Sequence, residues 1–336
     1  MKSNFYLVIL VVFIAGCKKD LFENRGDDAE YIFDTYWKEV DRHYSFFGQN
    51  KLNWDSVYSA YRGRIKPGLS KDSLFKLLAQ TTNLLQDAHT NIFTHKGIGG
   101  NTEYFEKYQV NQIAPGSEPY FEYYYPGRIF DYGKLKNSNI GYIRIKTFEG
   151  DKHRFEEIDS VLHLLDQTRA LIIDVRSNFG GKISNSKIIA SRLADSKRYA
   201  GKYRVRNGPA HNDFSDWIDV FVSPDENGFH MNKPVAILTN RHTYSATEWF
   251  VLQADVLPNV TLVGDTTGGG SAIPLVRELP NGWLLRVSNS QLMLPSGRDF
   301  QNTGLYPDIP VKNTPADAEA GIDRILEKAA VHLLSP

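Results

Sequence analysis

The chain has one cysteine, Cys17, in 336 residues. No disulfide can form within one chain, and no other thiol remains for catalysis or for a metal. Charge of either sign is not in excess, since Lys plus Arg and Asp plus Glu both total 39. No basic block with interleaved aromatics occurs, so nothing here points to nucleic acid. No cluster of His, Cys, Asp and Glu has metal-ligand spacing, and His-Glu-x-x-His is absent, so no metal is implied. "GDTTGGGSA" lacks the lysine and the spacing of a phosphate-binding loop, and no cofactor is expected. The apolar run from Phe5 to Ala15 falls short of the roughly 18–20 residues a transmembrane helix needs. No repeat of solenoid length is visible.

What is present begins at the N-terminus. "MKSNFYLVILVVFIAGCKKD" has a lysine, an apolar core and small residues ending at Cys17, the pattern of a signal peptide. "IAGC" resembles a bacterial lipobox, whose cysteine is lipidated and becomes the new N-terminus. The expectation is a signal peptide over 1–16, a polar tether over 17–28 and a lipid anchor on Cys17. That places the chain at the bacterial cell envelope, on the periplasmic side or the cell surface, held to the membrane without spanning it. The plainer alternative is a secretory signal with an incidental cysteine.

Beyond the tether the periodicity turns helical. Ile32, Tyr36 and Val40 share one face, "WDSVYSAYRGRI" follows, and "SKDSLFKLLAQTTNLLQD" opens on the cap candidates Ser70 and Asp72. This reads as a helical N-terminal domain over 29–95. Residues 96–135 carry "KGIGGN" and "YFEYYYPGRIFDYG", read as short strands or an irregular, aromatic-rich insertion or linker, whose aromatics could line a peptide groove or pack a domain seam. Strands then alternate with helices over 136–336: "NIGYIRIKTF", "RFEEIDSVLHLLDQT", "ALIIDVR", "SKIIASRLAD", "PVAILT", "SATEWFVLQADVL" and "VTLVG", closed by the C-terminal helix "PADAEAGIDRILEKAAVHLL". This alternation predicts a mainly parallel α/β core.

Active sites in such cores form from loops at the carboxyl ends of strands. Three loops qualify: "SNFGGK", "NRHTYS" and "DTTGGGS". Ser245 stands at a strand-to-helix turn, where a hydroxyl can be exposed beside backbone donors, as acyl transfer requires. Gly180 and Gly181 allow close backbone approach, and the Ala246 N–H is a natural second donor. Ser245 and Glu248 also have the spacing of a capping box, which needs no chemistry at all. The Gly-x-Ser-x-Gly elbow is absent.

In their order, "NIGYIRIKTF", "LIIDVRSNFGG", "PVAILTNRHTYSATEWF", "LVGDTTGGGS" and "GLYPDIPV" resemble the C-terminal-processing (tail-specific) peptidases and the tricorn protease core. "LLQDAHTNI" resembles the Asp-Gly-His-Thr element of the branch that lacks a Ser–Lys dyad. The resemblance extends over roughly residues 30–315 and rests on motif order rather than any one motif. It implies a layered α/β core related to the crotonase and ClpP folds, with serine-type peptide hydrolysis of a polypeptide substrate. Carried over by position, Ser245 matches the nucleophile and Gly181, or its neighbour Gly180, the oxyanion-hole glycine, with Ala246 as partner. Gly270 occupies the position of the tail-specific lysine, so the resemblance points to His89 as general base. Asp87, Asp299 and Gln301 are the candidates to orient that histidine, and Asp308 reads as a loop-holding residue. His242 is a rival base with poorer local geometry, and Asp174 and Arg176 read as structural. No regular PDZ domain fits in the about fifty residues between the His89 motif and the core. The expected function is a lipid-anchored serine endopeptidase or carboxy-terminal-processing hydrolase; the alternative is a catalytically silent relative that binds peptides at the surface.

Overall fold

A computed structural model describes residues 28–107, 111 and 120–335. Cys17, the expected signal peptide and nearly all of the tether lie outside the described residues. No helix among the described residues is long and apolar enough to cross a membrane.

The N-terminal helices begin where capping side chains stand. Asp28 accepts from the Glu30 and Tyr31 amides and starts α1 (Ala29–His43), which buries Ile32, Phe33, Tyr36 and Val40. After α2 (Phe47–Asn50), Asn53 caps α3 (Trp54–Arg62), and Ser70 caps α4 (Lys71–Asn83) by accepting from the Ser73 amide. Asp72, the other cap candidate, instead sits in the first turn of α4 and pairs with Lys96 at the surface.

The helices are not a domain by themselves. The hairpin β1 (Asn91–Thr94) and β2 (Gly97–Gly100) joins a four-stranded sheet whose other two strands come from far along the chain. Leu285, Val287, Trp283 and Leu279 from that distant segment share one core with Phe33, Tyr36, Leu78 and Ile92. The unit expected to end at residue 95 is therefore completed by residues 274–288. Helical periodicity cannot reveal a partner about two hundred residues away, because strand pairing leaves no mark on local spacing.

Residues 96–135 also divide differently. A short 3₁₀ turn spans Thr102–Lys107, and β3 (Phe121–Tyr125) and β4 (Phe130–Leu135) extend the main sheet as its antiparallel edge. Phe121 packs edge-on against Tyr142 at 5.0 Å, with Tyr120 and Tyr124 beside it, so these three join the sheet's own core, while Tyr125 is exposed.

The main sheet continues with β5 (Ile140–Ile145) and then the pair α5 (His153–Glu156) and α6 (Ile158–Leu164). The amphipathic stripe foreseen here is real: Phe155, Ile158, Val161 and Leu165 are all buried, although the helix breaks at Glu157. Next come β6 (Ala170–Asp174), α7 (Ile183–Leu193), β7 (Arg198–Val205), β8 (Ile218–Val222), β9 (Val235–Thr239), α8 (Ala246–Asp255) and β10 (Val260–Gly264). The chain closes through β11 (Pro274–Glu278), β12 (Leu284–Ser288), β13 (Ser290–Met293), β14 (Ile309–Pro310), α9 (Pro315–Glu319) and α10 (Arg324–Leu334). The seven strands run in the order β14-β10-β9-β6-β5-β4-β3, with β5, β6, β9, β10 and β14 parallel. Every residue of β6 and β9 is buried, which requires cover on both faces. Ile325, Leu326 and Ala329 of α10 cover one face, and Phe250, Val251 and Ile189 of α8 and α7 the other. A smaller sheet, β13-β7-β8, packs its Leu292, Ala200 and Val220 into that second layer. The expected layered α/β core with a helical N-terminal region is what the chain forms.

Only Asn289 separates β12 from β13, so one extended segment serves two sheets and ties the N-terminal unit to the core. The buried Arg176 meets Asp174 at 2.7 Å and Asp323 at 2.8 Å, bracing the end of β6 against the start of α10 as foreseen for Asp174 and Arg176. Asp308 accepts from the Leu262 amide at 2.8 Å and holds the approach to β14.

Candidate active site

The loops after β6, β9 and β10 converge at the carboxyl end of the sheet. Ser245 lies between β9 and α8 with φ 60° and ψ −126°. A side chain in that region costs about 1–3 kcal/mol and persists only where neighbours over-determine it. They do so here. The Tyr244 amide donates to Asn178 O at 3.1 Å, the Thr243 amide to Asn240 O at 2.8 Å, and the Gly268 amide to Thr243 O at 2.8 Å. The turn is a strained strand-to-helix elbow without the elbow's usual glycines. Space comes from the neighbouring loop instead: a Cβ at Gly180 would lie 2.7 Å from Ser245 Cβ and 2.9 Å from the Ala246 nitrogen. The sequence motif was absent because its glycine sits in another segment.

The two glycines differ in what they offer. The Gly180 N–H donates to Asn178 Oδ1 at 3.0 Å, and its carbonyl accepts from the Phe148 amide at 2.8 Å. The Gly181 N–H has no acceptor among the described residues, and neither has the Ala246 N–H at the first position of α8. Of the two, Gly181 is thus the one with a donor to spare beside Ala246.

Glu248 does more than cap. Its buried carboxylate accepts from the Ser245 amide at 3.2 Å, the Gly270 amide at 2.6 Å, the Gly269 amide at 2.7 Å and the Thr267 hydroxyl at 2.5 Å. It therefore clamps the serine turn to the triple-glycine loop. Burial pushes its pKa up to about 7, against four donors that favour the ionised form. The Ser-x-x-Glu spacing signalled the residue, but not the second loop it holds.

His89 follows α4 at the start of the N-terminal sheet. Asp87 Oδ1 accepts from the His89 amide at 2.9 Å, and the His89 carbonyl accepts from Arg286 Nε at 2.9 Å. The imidazole is 3% exposed, and its Nδ1 has no hydrogen-bond partner among the described residues. Burial first, and the Arg286 charge second, lower its pKa to about 3. The ring packs on Tyr244 at 4.7 Å between centroids, against the residue preceding the serine. No hydrogen bond joins the imidazole to the Ser245 hydroxyl; in ligand-free sites such bonds commonly tighten only with substrate.

The three candidate orienters lie near one another, yet none bonds to the imidazole. Asp87 accepts from the Thr90 hydroxyl at 2.8 Å and from Gln301 Nε2 at 3.4 Å. Gln301 Oε1 accepts from the Ser271 amide and hydroxyl, at 2.9 and 2.8 Å. Asp299 is engaged by Gln49 at 2.6 Å and by the Gln301 amide at 2.7 Å. They form a brace linking the His89 turn to the loop after β10. His242, the rival base, stacks on Phe179 at 5.4 Å, and that phenylalanine is 52% exposed at the mouth of the site.

Tyr244 was not singled out by the sequence. Its ring lies across the triple-glycine loop: a Cβ at Gly268 would come within 2.4 Å of it, and one at Gly270 within 2.2 Å. The space that a side chain at position 270 would enter is filled. A run of three glycines was the only trace of this, since it marks close approach without naming what approaches.

Comparison with known proteins agrees with this geometry. Residues 139–311 match peptidase family S41, and residues 26–83 match the tricorn protease C1 domain. The chain is 31% identical to a candidate peptidase from Parabacteroides merdae, with a TM-score of 0.81 over 91% of this chain and 97% of that one. It is 23% identical over 180 residues to the carboxy-terminal processing protease CtpA of Bacillus subtilis, covering 53% of this chain and 36% of that protein. Mature CPAF, at 13% identity, shares the fold with a TM-score of 0.72 over 92% of this chain and 98% of that one. The chain spans about a third of the length of the curated relatives it matches. With more than half of its 336 residues matched by the family's model, the chain belongs to peptidase family S41.

Proposed function

We propose that the chain is a serine peptidase that hydrolyses peptide bonds of envelope or extracellular polypeptides through an acyl-enzyme on Ser245. His89 takes the hydroxyl proton as Ser245 Oγ bonds to the scissile carbonyl carbon. The Gly181 and Ala246 N–H groups receive the oxyanion. His89 then returns the proton to the leaving amine as the C–N bond breaks; later it draws a proton from the water that bonds to the acyl carbon and passes it to Ser245 Oγ as the ester bond breaks and the acid is released. The observation that carries this reading is the strained Ser245 elbow packed against Gly180. An endopeptidase or a carboxy-terminal-processing cut both suit this chemistry. We extend the proposal to a lipid anchor on Cys17 at the bacterial envelope, supported by the "IAGC" segment.

A fluorophosphonate probe applied to the full chain in detergent tests the chemistry. Labelling of wild type and its loss in Ser245→Ala is expected. Equal labelling of both, or none in folded wild type, overturns it. The unbonded His89 ring favours a second reading, a silent relative that binds peptides, and peptide retention without labelling would select it. For the anchor, wild type should enter the detergent phase on Triton X-114 partitioning and Cys17→Ser should not.

A further inference from the structure

We infer that Tyr244 is a positioning residue for His89, holding the imidazole by ring packing where no hydrogen-bonded carboxylate does so. The inference deepens the proposed function and, for its catalytic consequence, rests on it.

Four observations combine. The buried Nδ1 of His89 has no partner among the described residues, so no hydrogen bond fixes the ring from that side. The Asp87, Asp299 and Gln301 side chains bond to backbone, to the Thr90, Ser271 and Gln49 side chains and, for Asp87 and Gln301, to each other, but not to the imidazole. The Tyr244 ring faces the imidazole at 4.7 Å with a 53° tilt, a separation at which aromatic pairs attract. Tyr244 itself is 4% exposed and cannot shift, because Gly268 and Gly270 lie flush against it and its amide is tied to Asn178 O. Tyr104 closes the far side, its ring 6.2 Å away and its hydroxyl bonded to the Gly268 carbonyl.

The arrangement also keeps water from the imidazole. The charged and titratable groups around it are Arg286 on β12, Asp87 on its own turn, and Tyr244 and Tyr104 on the opposite side. Arg286 and burial both favour the neutral ring, the form a base must have. Removing the tyrosine ring opens one wall of this enclosure to solvent, so His89 should gain both motion and proton affinity.

The full chain with ¹³C-labelled histidine tests this by NMR titration, without reference to activity. In wild type and Tyr244→Phe, which keeps the ring, His89 should stay unprotonated from pH 8 to 5. In Tyr244→Ala it should titrate within that window, a gain in proton affinity of about a hundredfold or more over the wild-type pKa of about 3. Gly270→Val, which drives a side chain into the ring from behind, should act in the same direction. Fluorophosphonate labelling should fall at least tenfold in the last two variants and stay near wild type in Tyr244→Phe. A His89 titration unchanged in folded Tyr244→Ala, or Tyr244→Phe behaving like Tyr244→Ala, overturns the inference. So does loss of a cooperative melt in both Tyr244→Ala and Gly270→Val, which would make the ring a core residue alone. If wild type proves unreactive to the probe while the titration responds as expected, the peptidase reading fails and the positioning role stands.

Discussion

Glu248 shows how one buried carboxylate can tie two loops of the candidate site together. Both of its oxygens face N–H donors: Oε2 meets the Ser245 and Gly270 amides, and Oε1 meets the Gly269 amide and the Thr267 hydroxyl. Replacing it by glutamine sets an NH₂ against amides that can only donate, whichever way the side-chain amide is turned. Each buried N–H left unsatisfied costs about 1–3 kcal/mol. Glu248→Gln should therefore lower the melting temperature by several degrees and reduce Ser245 labelling together, a near-isosteric change with the effect of a large one. Thermal melts and probe labelling check it; a variant with wild-type melting would show that the carboxylate clamps nothing. Ser245 makes the complementary point. At φ 60° a glycine is unstrained and an alanine is not, so Ser245→Gly should be more stable than Ser245→Ala by about 1 kcal/mol. Paired denaturant melts of the two variants measure this directly. At this scale the sequence was partly legible. Ser245 and Gly181 were visible because they sit in local motifs; Tyr244 was not, because its partners lie in three separate loops.

Elements decide how the histidine meets the serine. The segment before β1 carries His89, and β12 fixes it, with Arg286 donating to the His89 carbonyl at 2.9 Å and to Asn91 Oδ1 at 2.5 Å. Arg286→Met keeps much of the aliphatic stem and removes these bonds. Because Arg286 also holds the His89 pKa down, its loss should move the His89 titration upward and weaken labelling without changing Ser245's surroundings. NMR titration of the variant checks this, and an unchanged His89 pKa would count against the link. Element types were read well where a local period dictates them: the buried runs of β6 and β9, and the capped stripes of α1 and α4. The pairing of β1 with β12 was not, since "NIF" and "LLRVS" carry no signal of their register. The aromatic stretch over 121–135 left short strands and an insertion both open for a related reason, as an edge hairpin resembles an insertion until its neighbour β5 is known.

For the whole molecule, His89 and Glu248 oppose each other, and the Asp87, Asp299 and Asp255 carboxyls, raised by burial, act in the same direction as Glu248. His89 has its folded pKa lowered from 6.5 to about 3, so the unfolded chain binds the proton first as pH falls. Stability from this group is present above 6.5 and is lost below it, at about 1.4 kcal/mol per pH unit while the difference lasts. Glu248 has its folded pKa raised from 4.5 to about 7, so its contribution is full below 4.5 and is lost as pH rises through 7. Between 4.5 and 6.5 the two slopes have opposite signs. With His89→Gln the opposing His89 share is gone, and stability should rise more steeply as pH falls from 6.5 to 4.5 than it does in wild type. Urea titrations across that range test the sign; a variant that loses stability toward acid would refute it.

The pairing of Asn91 with Arg286, 195 positions apart, also orders events in time. His89 and Ser245 both precede β12 in the chain, and the sheet that begins after His89 lacks a middle until β12 is added. Contacts of such separation form late, after the loops they close have been ordered. A chain that stops short of β12 thus has the serine segment without a fixed histidine, so the site stays incomplete until residues 284–288 join the sheet.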